Sequence, residues 1–185
     1  RWVVPARVAF VQGGAAVTRR AFLVAIMVLS ASVVAAQPVQ FDKLTPAASN
    51  SKVRTIADWT SWGLVLTSLA LDGKAAWDHP TDRTHQLQLF AVRVGASTLI
   101  AQIAKGLTKR ARPCSPSCGT DRPDSSFFSM HATLAFSTLG GARVGIALPL
   151  ATGGSGLRVV AGKHYLTDVL AGIAVGALVS RIRTP

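Results

Sequence analysis

Three short segments of the chain carry residues whose types and spacing suit the binding of an anion and the activation of a nucleophile. In the first, Lys105 and Arg112-Pro113 lie seven residues apart. That is about two turns of a helix, so both cations are expected on one face at a helix end. An ammonium and a guanidinium converging there make an anion clamp, and the Arg adds a two-pronged fork suited to phosphate oxygens. In the second, Ser126-Phe127-Phe128-Ser129-Met130-His131-Ala132, a hydroxyl (Ser129), backbone N–H groups (Met130 among them) and an imidazole (His131) stand at a helix N-terminus, which attracts anions. In the third, Arg158 precedes His164, and Asp168 follows four residues later. On one helix face the Asp would accept from one ring nitrogen of His164 and leave the other free as a nucleophile. Each segment alone has an ordinary explanation: dipole complementation by a basic helix end, a Ser cap, a surface ion pair. Tyr165, Leu166, Val169 and Leu170 make the third segment's surroundings apolar and weaken that explanation there.

The elements that must position these residues read as helices. Residues 37–51 are rich in Pro, Ser and Asn and form an entry loop. Ser51 is placed to cap a helix that runs to about Leu71 and stops at Asp72-Gly73. Asp78-His79-Pro80 marks a turn; neither His79 nor His85 receives a role. From about Thr84 to Lys109, Val92, Ala96, Leu99, Ile103 and Leu107 share a helical face, and Pro113 ends the run. Residues 113–125 read as a loop. A helical run from about Met130 breaks at Gly140-Gly141, a second leads to Gly153-Gly154, and a last helix runs from near His164 to Arg181. No alternating apolar pattern suggests a strand. The expected fold is all-α, a single compact bundle.

The chain has 185 residues, 49% of them hydrophobic and 15% charged, which excludes disorder and suits one domain. Twenty Lys and Arg stand against eight Asp and no Glu, so the partners should be anionic. A cluster at Lys105, Lys109, Arg110, Arg112 and Arg122 has no interleaved aromatics, so a nucleic-acid stacking platform is not supported. Arg19-Arg20 precede the apolar run Ala21–Ala36, which closes on small residues before Gln37-Pro38. This reads as an export signal, or as an N-terminal anchor, with the helical domain in residues 37–185. Residues 1–16 lack an opening Met, and Val17 is a candidate alternative start. In an oxidising, extracytoplasmic compartment Cys114 and Cys118 could close a small disulfide loop. Arg93 and Arg143 interrupt the apolar runs, favouring a soluble or peripheral bundle, with membrane association left open.

In this order, KGLTKRARP at 105–113, SFFSMHA at 126–132 and RVVAGKHYLTDVLAG at 158–172 resemble the type 2 phosphatidic acid phosphatase family, which shares a superfamily with bacterial acid phosphatases and vanadium haloperoxidases. The resemblance implies a helical bundle with a phosphate pocket at one end. It implies that His164 is the nucleophile, that Asp168 orients it, and that His131 is the general acid and then the base. Lys105, Arg112 and Arg158 would hold the phosphate oxygens, assisted by Ser129 and the Met130 N–H. The scheme calls for no metal and no cofactor. The implied partner is a phosphate ester, small or lipid-borne, and not nucleic acid; a vanadate-dependent haloperoxidase and an impaired phosphate-binding relative are the alternatives. The family commonly has Pro, Gly and Ser where Phe128, Met130 and Leu157 stand. If position 130 required a left-handed backbone, Met would cost about 1 kcal/mol there and misaim its N–H.

Overall fold

The computed structural model describes Asp42, residues 50–114 and residues 124–182. The proposed signal segment, most of the entry loop and Cys118 lie outside the described residues. Helix α1 is Ser51–Trp77, with Asn50 rather than Ser51 as its cap: the Asn50 side chain accepts the Lys52 and Val53 N–H groups at 2.8 and 3.4 Å. Asp72-Gly73 does not stop α1. The Asp72 carboxylate is buried and paired with Arg93 at 3.3 Å, so it is not free to turn the chain. Gly73 packs against the Phe90 ring.

Helix α2 is Arg83–Thr108, α3 is Met130–Ser137 with a 3₁₀ turn at Thr138–Gly140, α4 is Val144–Val160, and α5 is Leu166–Val179. No strand occurs among the described residues, and the fold is all-α. Helix α4 runs through Gly153-Gly154, where a break was expected, and also through Pro149. The glycines serve packing instead: a side chain at Gly154 would lie 3.3 Å from Leu64 and 3.5 Å from the Ser61 carbonyl, so α4 lies close on α1.

Helix α3 is the centre of the bundle. Every one of its residues after Met130 is buried, and α1, α2, α4 and α5 pack around it. Gly172 and Gly176 let α5 lie directly on α3, since a Cβ would come within 2.6 Å of the Ser129 carbonyl and 2.5 Å of the Thr133 carbonyl. Two apolar clusters fill the interior, one around Phe127, Phe128 and Val175, the other around Val65, Leu134 and Ala151. Buried hydroxyls and charges are also inside: Ser61, Ser68, Ser97, Thr133, Thr138, Ser155 and the Asp72–Arg93 pair. Large apolar side chains face outward, among them Ile56, Trp59, Leu66, Val92, Leu99, Leu107 and Ile146. Among the described helices α2 alone is long and apolar enough to cross a membrane.

Candidate active site

The end of α2, the start of α3, the end of α4 and the start of α5 meet at one end of the bundle; the first two bring the first and second predicted segments, and α4 and α5 share the third. Lys105 sits in the last turn of α2. The helix then stops, because Lys109 adopts a left-handed backbone, φ 44°, with its N–H on the Lys105 carbonyl at 3.2 Å. Arg112 is therefore not two turns further along the same helix, as the spacing suggested; it returns on the loop. The two cations still converge: Lys105 Nζ donates to the Ser125 carbonyl at 2.7 Å and Arg112 Nη2 to Ser125 Oγ at 3.0 Å.

Ser129 caps α3. Its Oγ accepts from the Ala132 N–H at 3.4 Å, and its own N–H donates to the Asp168 carbonyl at 3.0 Å. Met130 is the first residue of α3, and Lys109 is the one non-glycine residue with positive φ among those described. The strain considered for Met130 is therefore absent, and its N–H lies in the first turn, where helix N–H groups lack an intrahelical acceptor. His131 follows, its ring edge-on to Trp62 at 4.0 Å between centroids and its Nε2 buried without a hydrogen-bond partner.

Arg158 lies in the last turn of α4. Gly162, at φ 70°, then reverses the chain, and the N–H groups of Lys163 and His164 fold back on the Arg158 carbonyl at 3.1 and 3.3 Å. This turn holds arginine and imidazole side by side. The Cys114 N–H ties the α2–α3 connection to it through the Gly162 carbonyl at 3.1 Å, and Cys114 is itself in a disulfide.

His164 precedes α5, so it and Asp168 do not share a helix face. Nor does Asp168 hydrogen-bond to it: the closest approach, Nδ1 to Oδ2, is 3.9 Å. Nδ1 lies instead 2.6 Å from the Ser126 carbonyl. That acceptor requires the proton on Nδ1, which leaves a lone pair on Nε2. Asp168 is fully buried and engaged elsewhere. Its Oδ2 accepts from Ser126 Oγ and, at 2.9 Å, from the Tyr165 N–H; its Oδ1 accepts from Arg110 Nη1 at 2.5 Å. Its link to His164 runs through Ser126 and the start of α5.

Burial, then Lys105, Arg158 and Arg112, hold His164 well below the ordinary imidazole value, against the opposing Ser126 hydrogen bond. Burial, then Arg158, His164, Lys105 and Arg112, push His131 down to about 2. Lys105 falls to about 7 through burial and Arg112, with Asp168 opposing. Without an anion the pocket is short of negative charge and both imidazoles are neutral.

All eight predicted site residues reach this end of the bundle. Sequence reasoning missed Asp58, Arg110, Asp42 and Trp62. The Asp58 carboxylate accepts from Arg158 Nη1 and lies 3.7 Å from Lys163 Nζ. A hundred residues separate it from Arg158, and no local spacing announces it. Arg110 belongs to the basic cluster, where only its burial sets it apart. Among the described residues no three His, Cys, Asp or Glu side chains group as metal ligands.

A family model described as PAP2 superfamily matches residues 86–184. No curated protein and no solved structure matches the chain.

Proposed function

The chain belongs to the PAP2 superfamily, and from its site we propose that it is a phosphatase that works through a phosphohistidine on His164 and needs no metal. One observation carries the proposal: a buried, neutral imidazole with its free Nε2 lone pair beside three cations. Lys105, Arg112 and Arg158 take the phosphate oxygens, with the first-turn N–H groups of α3 assisting. Nε2 attacks phosphorus as the ester P–O bond breaks, and His131 gives its proton to the departing oxygen. The proton enters with the substrate, because the phosphate charge offsets the cations that add to burial in keeping His131 neutral. Water then attacks phosphorus, the P–N bond breaks, and His131 takes the water's proton. Met130 has an unstrained helical backbone, which removes the motive for reading the protein as an impaired relative.

The substrate class we propose is a phosphate ester with an apolar tail. Ile103 and Leu107 flank Lys105, and Trp59 neighbours Asp58; all three stand exposed on the outer surface of the pocket's end. An extracytoplasmic location accords with the Cys114 disulfide.

The test is phosphate release from an aryl phosphate and a short-chain phosphatidic acid, in EDTA. His164→Ala should lose turnover at least about 10³-fold and keep its fold by circular dichroism. Wild type quenched in alkali should carry a base-stable, acid-labile phosphoryl group at residue 164. Activity abolished by EDTA, or retained by His164→Ala, overturns the mechanism. Bromide oxidation in vanadate without phosphate release would favour the haloperoxidase instead.

A further inference from the structure

Two buried acids share one arginine behind the nucleophile. Arg110 is buried and stacks on the Tyr165 ring at 4.4 Å. Its Nη1 donates to Asp168 at 2.5 Å and to Thr167 Oγ1 at 3.1 Å; its Nη2 donates to Asp42 at 2.5 Å. Asp42 comes from the N-terminal segment, 125 residues before Thr167, yet it is buried too. Its carboxylate also accepts the Thr167 N–H at 3.2 Å and the Thr167 hydroxyl at 2.8 Å. Thr167 is the second residue of α5 and Asp168 the third. Asp42 thus supplies, from outside the helix, an acceptor for an N–H of α5's first turn, at the positive end of the helix dipole.

Resting on the phosphohistidine reading above, we infer that Asp42 is a positioning residue for catalysis, acting through Arg110 and Thr167 on Asp168 and so on His164. The argument is one of charge and of geometry. Asp42, Arg110 and Asp168 together carry one negative charge on the side of His164 that faces Ser126. Phosphorylation of Nε2 makes the ring cationic, and that charge stabilises it. A neutral residue at 42 leaves the group without net charge and releases the first turn of α5, while the oxygen-binding cations on the other side of the imidazole are untouched. A lysine at 110 is a point charge and cannot hold both carboxylates as the guanidinium fork does.

The experiment compares full-length wild type, Asp42→Asn and Arg110→Lys. Turnover is measured alongside calorimetric binding of orthovanadate, which takes an imidazole nitrogen as a ligand, and of inorganic phosphate, which forms no bond to that nitrogen. The expected result for Asp42→Asn is a fall in kcat of about tenfold or more with KM within about twofold. Vanadate should weaken with kcat, and phosphate should not. Arg110→Lys should fall at least as far. Unchanged kcat in Asp42→Asn, full activity in Arg110→Lys, or equal losses for both anions overturn the inference, the last because it signals a loosened pocket. Wild type that binds neither anion and releases no phosphate overturns the phosphatase reading and this inference with it. An active wild type beside an unaffected Asp42→Asn overturns this inference alone.

Discussion

At the scale of single residues, the pocket's chemistry turns on two imidazoles kept neutral by burial and by three neighbouring basic residues. For His164 this is what a nucleophile needs. For His131 it is the opposite of what an acid needs, and only an arriving dianion corrects it. Phosphate binding should therefore draw protons from solvent, because the bound charge offsets the cations that, after burial, hold His131 down at about 2. Calorimetry of phosphate binding in buffers of different ionisation enthalpy reads this directly. A binding heat independent of buffer would remove His131 as the acid. The proton count should fall in His131→Gln to the share taken up by Lys105, which itself lies at about 7. Most of this site was legible in the sequence because Lys105, Arg112, His131, Arg158, His164 and Asp168 sit in three short segments at motif spacing. What spacing could not give was the routing of their hydrogen bonds. The Ser126 carbonyl takes the Nδ1 contact expected of Asp168, since a backbone acceptor leaves no mark on residue type.

At the scale of elements, the helices followed the apolar periodicity and the errors came at glycines and charges. Asp72-Gly73 and Gly153-Gly154 have the composition of stops, but each is used for contact between helices, which one-dimensional pattern does not report. The end expected at about Lys109 is where α2 stops, through a left-handed backbone at that residue, so the seven-residue spacing of Lys105 and Arg112 does not run along one helix. Glycines also bring α5 directly onto α3, and that contact sets where Ser129 and Asp168 meet. Gly176→Ala should push α5 off Thr133, since the new methyl would lie 2.5 Å from its carbonyl and 2.8 Å from Phe136 Cβ. Overpacking of this kind costs about 1–3 kcal/mol. The expected result is a lower chemical-denaturation midpoint and, because α5 carries Asp168, reduced kcat in the protein that remains folded. Gly145→Ala, where nothing lies within 4 Å, is the matched control and should not destabilise. Equal midpoints for the two variants would show that α3 and α5 have room to separate.

At the scale of the whole molecule, the distribution of polarity sets the surroundings. Serines, threonines and an Asp–Arg pair lie inside, where small residues let helices close on one another, while leucines, isoleucines and tryptophans look outward. A helix pattern read for amphipathicity alone assigns Val92, Leu99, Ile103 and Leu107 to a core face, and the structure puts them on the surface. Each large apolar side chain taken from water contributes about 1.5–3 kcal/mol, so this surface gains by facing an apolar medium. Together with Trp59, Ile103 and Leu107 exposed on the outer surface near the pocket's end, this predicts that the bundle itself holds the protein at lipid. The comparison is between the full chain and a variant with Leu66, Val92, Leu99 and Ile146, all on outer faces away from the pocket's end, replaced by Ser. The N-terminal apolar run is common to both, so any difference belongs to the bundle. The variant should bind phospholipid vesicles more weakly in flotation and hydrolyse vesicle-borne phosphatidic acid more slowly, with aryl phosphate hydrolysis unchanged. Equal flotation would assign the membrane contact to the N-terminal run, and an equal rate on the lipid would make the apolar outer surface irrelevant to substrate access.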